Sequence, residues 1–327
     1  MKNISKRKWK MIGFSVLGIL LIGIAVFGYE YYQLQPKNHF TSVPVVNSGK
    51  SSTSNLTDET VEIKDPIFNL LLIGSDQRKG EKVGHSDSMI LIHADLTKKK
   101  FEAVSIPRDT RVHLDGYGYT KLTSVQYIIQ STKGTQAGVE AAVSSVSELM
   151  GVPINYYVET NYLGFQSLVD AVGGIDMYVP YNMKLTHPWY RENKNKLISA
   201  GRHSFDGKMV AEVVHERYSL EDGEYSRQRL QEEALKGIAK KVLSPSNIGK
   251  LPSLVKSVPD FVVATNMSTS DMLSFGLAVK DFDPSKQLEY HQIPGEGKRL
   301  YDDILKATNY QLVIDPQKIE DIMTQYF

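Results

Sequence analysis

The sequence predicts an α/β domain with a mixed central sheet and helices on both faces, preceded by one N-terminal transmembrane helix. Three observations carry that expectation. Short apolar runs ending in Gly, Asp or Pro alternate with longer stretches of helical spacing. The alternation runs from about residue 65 to the C-terminus, which favours interleaved strands and helices over a bundle or a sandwich. Residues 11–29, MIGFSVLGILLIGIAVFGY, carry no charge, and nineteen helical residues span about 28 Å, close to a hydrocarbon core of roughly 30 Å.

The N-terminal plan follows from charge. Lys2, Lys6, Arg7, Lys8 and Lys10 precede the apolar stretch and no acid occurs before residue 30. Basic residues on that flank keep it cytoplasmic, so the rest of the chain is expected outside the cell membrane in single-pass topology. Trp9 on one side and Tyr29, Tyr31 and Tyr32 on the other suit the two interfaces. The stretch is long for a cleaved signal peptide and no A-x-A-like site follows, so we read an uncleaved anchor. Residues 1–10 are then a basic tail, 11–29 the anchor, 30–64 a Ser/Thr/Asn/Pro-rich tether and 65–327 the extracellular domain.

Within the domain, PIFNLLLIGSD is a buried strand entering a loop. SMILIHADLT and KFEAVSIPRDT are two more strands, joined by a turn at KKK. SVQYIIQSTKGTQAGVEAAVSSVSELMG is helical and breaks near Gly134; INYYVETN returns to strand. YLGFQSLVDAVGG has helical spacing and stops at Gly173–Gly174, and IDMYVP is a strand closed by proline. SFDGKMVAEVVHERY is a helix with Asp206 as its N-cap. GEYSRQRLQEEALKGIAKKVL is another, with acids first and lysines last, as the helix dipole prefers. Short strands near 261–265, 287–293 and 310–314 and further helices complete the chain. The segment after about residue 245 carries no motif.

Composition excludes several functions. The 327 residues carry a net charge of +1 and no cysteine. The five basic groups of the tail leave −4 for the remainder, which argues against a general nucleic-acid binder. Disulfides, thiol nucleophiles and zinc–thiolate sites are ruled out. No P-loop, G-x-S-x-G or H-x-x-x-H spacing occurs.

Four stretches put charged groups just past apolar strands or at helix starts: GSDQR (Asp76, Arg78), HSDS (His85, Asp87), SIPRDT (Arg108, Asp109) and HERYSLEDGEYSRQRLQ (His215 to Gln231). Ligands gather beyond strand ends in open α/β sheets. Arginines would grip phosphate oxygens by forked, charge-assisted bonds, and one or two aspartates would hold a Mg²⁺. Arg227 and Gln231 are four apart and share a helix face, while Arg229 points elsewhere. Singly, each stretch is more often a turn, a cap or a solvated surface pair.

Taken together and in order, the pieces LLLIGSDQR, HSDSMILIHAD, VSIPRDTRV, KLTS, GFQSLVDAVGGIDMYVP, FDGKMVAEVVHERY and GEYSRQRLQ resemble the LytR-CpsA-Psr family of bacterial envelope proteins. The resemblance implies transfer of an anionic glycopolymer, of teichoic-acid or capsule type, from a polyprenyl diphosphate carrier to a peptidoglycan hydroxyl. It further implies assistance by Mg²⁺ and an apolar tunnel for the prenyl tail. Carried onto this chain, Asp76 and Asp87 are the metal-binding and catalytic aspartates, and Arg108 and Asp109 complete the catalytic set. Arg78, Arg108, Lys121, His215, Arg217, Arg227 and Gln231 face the diphosphate. The partners implied are the lipid-linked polymer, peptidoglycan and the cytoplasmic membrane, with no nucleic acid.

The chain departs from the family pattern. His215-Glu216-Arg217 stands for R-x-R, His85-Ser86-Asp87 for R-[ST]-D, Gly223-Glu224-Tyr225 for G-D-[FY], and Leu230-Gln231 for the R-Q closing the arginine helix. Two histidines therefore replace arginines beside the expected diphosphate. An imidazole with an ordinary pKa near 6.5 would be partly charged there, giving either a transferase with pH-sensitive activity or a weakened relative that binds lipid-linked polymer as a scaffold or regulator. A transcriptional regulator is disfavoured, because a ten-residue cytoplasmic tail is too short to fold on DNA.

Overall fold

The computed structural model describes residues 28–46, 60–78 and 80–327. The expected tail 1–10 and residues 11–27 of the expected anchor lie outside the described residues. No helix among the described residues is long and apolar enough to cross a membrane.

In chain order the elements that build the site are β1 (Ile67–Ser75), β2 (Ser86–Asp95), β3 (Lys100–Ile106), β4 (Arg111–Leu114), β5 (Gly118–Lys121), α1 (Leu122–Lys133), α2 (Thr135–Met150), β6 (Tyr156–Asn161), α3 (Tyr162–Ala171), β7 (Ile175–Val179), β8 (Gly201–Phe205), α4 (Gly207–His215), α5 (Glu224–Val242), β9 (Val262–Thr265), α6 (Thr269–Ala278), β10 (Leu288–Gln292), β11 (Gly295–Asp302), β12 (Ala307–Ile314) and α7 (Pro316–Tyr326). Six strands form one mixed sheet in the order β9-β6-β1-β2-β3-β10. β1–β6 and β3–β10 are parallel; β1–β2, β2–β3 and β6–β9 are antiparallel.

Strand alternation divides the core. Leu71, Ile73, Met89, Leu91, Val104 and Ile106 face one side, where they meet Leu122 and Val125 of α1 and Val139, Val143 and Val146 of α2. Phe68, Leu70, Ile90, Ile92 and Ala103 face the other, packed with Phe275 of α6. A third cluster joins Val169, Ile175, Val210, Val213 and Leu230 of α3, β7, α4 and α5. The helix break falls where expected: Gly134 adopts φ 90°, a conformation costly for any residue with a Cβ. Asp206 caps α4 by accepting the Met209 N–H at 2.8 Å.

IDMYVP is a strand as expected; β7 pairs only with β8, as an antiparallel ribbon outside the central sheet. Strands β4, β5, β8 and β11 were not foreseen; β4 and β5 form one hairpin, and β11 pairs with β12 to form a second. One expectation needs correction. The tether expected over 30–64 is in part folded. Strands over 42–44 and 60–62 pair, Phe40 and Val43 are buried against Phe68 and Tyr156, and Val46 bridges Ile154. Its few large apolar residues cover an otherwise open patch of the sheet, so the folded unit begins well before residue 65.

Candidate active site

The strand directions bring four loops to one end of the sheet. β1, β3 and β6 end there and β2 begins there. Ser75 pairs with Ser86 but Gly74 pairs with Ser88, so Asp87 is a bulged residue with no partner opposite. A bulge re-aims the side chains beside it. Ser88 and Ile90 face the α3–α5 side and regular alternation would send Asp87 to the opposite face. The extra residue leaves Asp87 on the same wall as Ser88 and turns Ser86 inward to Gln126 of α1 (2.5 Å).

Between this face of the sheet and helices α3, α4 and α5 lies an apolar cavity of about 400 Å³. Leu72, Ile90 and Val158 form its floor, and Phe165, Val214, Leu235 and Ile238 its roof. Its ionisable Asp76, Asp87, His215 and Arg227 lie with Ser88 and Gln231, and Ser75, Thr160 and Asn161 add further polar lining. An adjoining polar cleft of about 410 Å³ shares Asp76, Asp87, Trp189 and His215 and adds Arg78 and His187. Arg78 lies over the Trp189 ring at 5.0 Å, and Trp189 stacks on Tyr162 at 4.2 Å. The Trp189 and Tyr190 N–H groups both donate to Glu212 at 2.8 Å, which fixes the aromatic wall.

The charged groups are linked in a chain. Arg108 donates to Asp87 at 2.5 Å and stands 3.9 Å from Asp109, which Lys121 approaches at 2.8 Å. Arg227, almost fully buried, donates to the Asp87 carbonyl at 2.8 Å and to Glu224 at 2.6 Å. Ser88 donates to Gln231 at 3.0 Å, so both residues of the shared helix face reach the site. Arg108, Asp109 and Lys121 belong to this chain but do not line either cavity; Arg108 reaches the site through Asp87. Arg217 lies over the Tyr218 ring at 4.9 Å, and Tyr218 packs on His187, so this arginine sits at the rim of the polar cleft and does not line it. Arg229 is exposed and pairs with Glu232, as its helical position implied.

The two histidines are tuned in opposite directions. His85 donates its backbone N–H to Asp76 at 2.6 Å and stands 3.3 Å from the same carboxylate through its ring, stacked on Tyr127 at 4.6 Å. The bond to Asp76 raises the His85 pKa despite burial. Burial works against charge on Asp76, but the His85 bonds and nearby Arg108 hold its pKa below the ordinary carboxylate value. At His215 burial, reinforced by Arg227, lowers the pKa. The shift at His215 is toward the neutral imidazole, opposite to that at His85.

A buried network beneath the bulge is missing from the sequence reading. Gln126 donates to Glu159 at 2.8 Å, and Glu159 is fully buried. Burial raises its pKa, against the hydrogen bond from Gln126. Trp189, Tyr162 and Glu224 were also not singled out as site residues. A lone glutamate inside an alternating strand, as in YYVET, was the one available signal for Glu159.

The donor set can be tested against Mg²⁺. Asp76 and Asp87 present carboxylate oxygens to the same two cavities, and Mg²⁺ is usually held by one or two carboxylates plus substrate phosphates and water. The residues fit that chemistry. Among the described residues, the one cluster of three ligand-type side chains is Glu102, Glu289 and His291, elsewhere on the sheet.

Comparison with known proteins identifies the family. Residues 37–326 match the LytR_cpsA_psr family. The chain is 30% identical over 289 residues to the polyisoprenyl-teichoic acid–peptidoglycan teichoic acid transferase TagU of Bacillus anthracis, covering 88% of each. Its fold is similar to the crystal structure of B. subtilis TagV, with a TM-score of 0.66 at 24% identity, over 80% of this chain and 96% of that one. It is also similar to TagT bound to LIIa-WTA, with a TM-score of 0.63 at 25% identity, over 80% and 89%.

Proposed function

Because this chain belongs to the LytR_cpsA_psr family, we propose that it is a membrane-anchored, Mg²⁺-dependent transferase. It moves an anionic glycopolymer, of teichoic-acid or capsule type, from a polyprenyl diphosphate carrier to a peptidoglycan hydroxyl outside the cell. The family relatives named as teichoic acid transferases support the reaction class. The observation that carries the reading is the juxtaposition of an apolar cavity of about 400 Å³ with Asp76, Asp87, His215, Arg227 and Gln231. Such a volume suits a lipid-sized ligand, and a headgroup beside an apolar tail is the ligand that this polarity asks for.

The acceptor hydroxyl oxygen bonds to the phosphorus that carries the glycopolymer. The bond from that phosphorus to the bridging oxygen breaks, and polyprenyl monophosphate leaves. Mg²⁺, held by Asp76 and Asp87, would neutralise the diphosphate. That charge is needed because Arg108 and Arg227 already face Asp87, Asp109 and Glu224. Arg227, Gln231 and His215 hold phosphate oxygens, and the apolar walls exclude water from the lipid side. In a loose phosphoryl transition state the proton leaves late, so a weakly basic carboxylate suffices. Asp109, on the far side of Arg108 from Asp87, takes that proton.

Purified protein mixed with a synthetic polyprenyl-diphosphate donor and peptidoglycan tests the proposal. Polyprenyl phosphate is expected to appear together with phosphodiester-linked polymer, and chelation is expected to stop both. Donor binding without release at any Mg²⁺ concentration would instead favour the scaffold role.

A further inference from the structure

The β11–β12 hairpin lines neither cavity, yet it is fixed to the catalytic edge. The Leu312 N–H donates to the Asp109 carbonyl at 2.8 Å, and Thr110 bridges Leu312. The Gly295 N–H donates to the Tyr225 hydroxyl at 2.9 Å, which ties the hairpin to the first turn of α5. Arg111 joins it to the neighbouring β4–β5 hairpin, donating to Gln311 and to the Tyr301 carbonyl. Thr120 adds a bond to buried Asp302 at 3.0 Å.

The outer surfaces of these hairpins are aromatic and basic. On β4–β5, Arg111 faces Lys121 and His113 faces Tyr119 across the ladder, which puts all four on one side. The Arg111 guanidinium covers the Tyr119 ring at 4.3 Å. The stripe starts at the Asp109–Lys121 ion pair. On β11–β12, Tyr310 stands opposite Arg299, with Tyr301 on the same side. Gly297 leaves room for the Tyr310 ring, since an added Cβ would meet it at 2.6 Å. Tyr119, Tyr301 and Tyr310 are each about half exposed (45%, 51% and 49%).

Exposed rings grouped beside a reaction centre mark a binding surface. A tyrosine ring offers a flat apolar face and a hydroxyl at its edge, which matches a pyranose, with C–H bonds on its face and hydroxyls around it. The forked guanidinium groups match carboxylates. Asp115, Glu296 and Asp303 stand among these residues, so the surface is mixed in charge, and carboxylates of a ligand have to fall beside the arginines.

We propose that the surface of Arg111, Tyr119, Arg299, Tyr301 and Tyr310 binds the acceptor, a carboxylate-bearing glycan strand of amino sugars. Pyranose rings stack on the tyrosines, and the attacking hydroxyl arrives beside Asp109. This rests on the transferase reading and assigns the side from which the acceptor enters.

The full-length protein is tested as wild type, Y119A/Y310A and Y119F/Y310F, with thermal melts to check folding. Retention on purified sacculi is expected to fall about tenfold in the alanine variant, and KM for soluble uncrosslinked peptidoglycan fragments to rise as much. kcat and donor KM are expected to hold, and the phenylalanine variant to behave as wild type. Wild-type retention by the alanine variant overturns the proposal. So does loss of binding to phosphatidylglycerol vesicles with sacculus retention intact, which would make the surface a membrane contact. If wild type turns over no donor but its sacculus retention depends on the tyrosines, the transferase reading fails and the glycan surface stands.

Discussion

His85 and His215 stand where the family resemblance implies arginine, and their surroundings shift their pKa values in opposite directions. For His215 the folded pKa lies below the unfolded value of about 6.5. Its contribution to stability is full above that value and is lost as pH falls toward the folded pKa. His85 has the opposite sign: its contribution is full below about 6.5 and is lost as pH rises through its raised pKa. Denaturant titrations between acid and neutral pH should show H215Q less acid-sensitive than wild type. H215R adds a charge-assisted bond to phosphate and should tighten donor binding by roughly tenfold to a hundredfold, read by lipid-binding titration. Glu159 gives a third residue-level prediction. Its raised pKa makes stability decline as pH rises above the unfolded carboxyl value of about 4.3. E159Q should remove that slope and fold normally, whereas E159A should lose about 1–3 kcal/mol by stranding the Gln126 amide.

At the scale of elements, the site depends on how α3, α4 and α5 close over the sheet. Gly207 begins α4 against the backbone of α3, where an added Cβ would lie 2.1 Å from the Gln166 carbonyl oxygen. G207A should therefore cost about 1–3 kcal/mol, measured by equilibrium unfolding, because backbone has to move to admit a methyl group. α5 carries Arg227, Gln231 and Ala234 to the cavity on one face while Leu230 faces the third core. R227K would replace the planar guanidinium, whose Nη2 donates to both the Asp87 carbonyl and Glu224, with a compact ammonium that cannot present a fork to phosphate. Transfer should drop about a hundredfold or more, since an electrostatic contact at the reacting phosphate is lost.

For the whole molecule, an apolar cavity of about 400 Å³ is left open inside the fold. A ligand that fills it only in the native state stabilises by mass action. Polyprenyl phosphate at a hundred times its Kd should add about 2.7 kcal/mol and raise Tm by roughly 5–10 °C in a scanning melt. A234W, which fills the cavity from α5, should abolish that shift. The orientation at the membrane is tested by protease treatment of intact protoplasts, which should degrade the domain and leave cytoplasmic proteins whole.

What the sequence determined by itself was local. Apolar runs, caps and glycine stops set the strands β1, β2, β3 and β6 and the helices α3, α4 and α5, because periodicity and end chemistry act within a few residues. It also supplied the functional side chains of four separated stretches. Tertiary structure decided which of them meet. The bulge that turns Asp87 onto the cavity wall is a matter of register between β1 and β2, and register belongs to a pair of strands. The Arg108–Asp87 and Lys121–Asp109 pairs depend on where β3 ends relative to its neighbours. Strand β11, with Gly295, Gly297 and charged residues, has little strand character alone and exists by pairing with β12. Burial at Phe40, the raised pKa of Glu159 and the opposite tuning of the two histidines also come from groups distant in the chain, because desolvation and charge act through space.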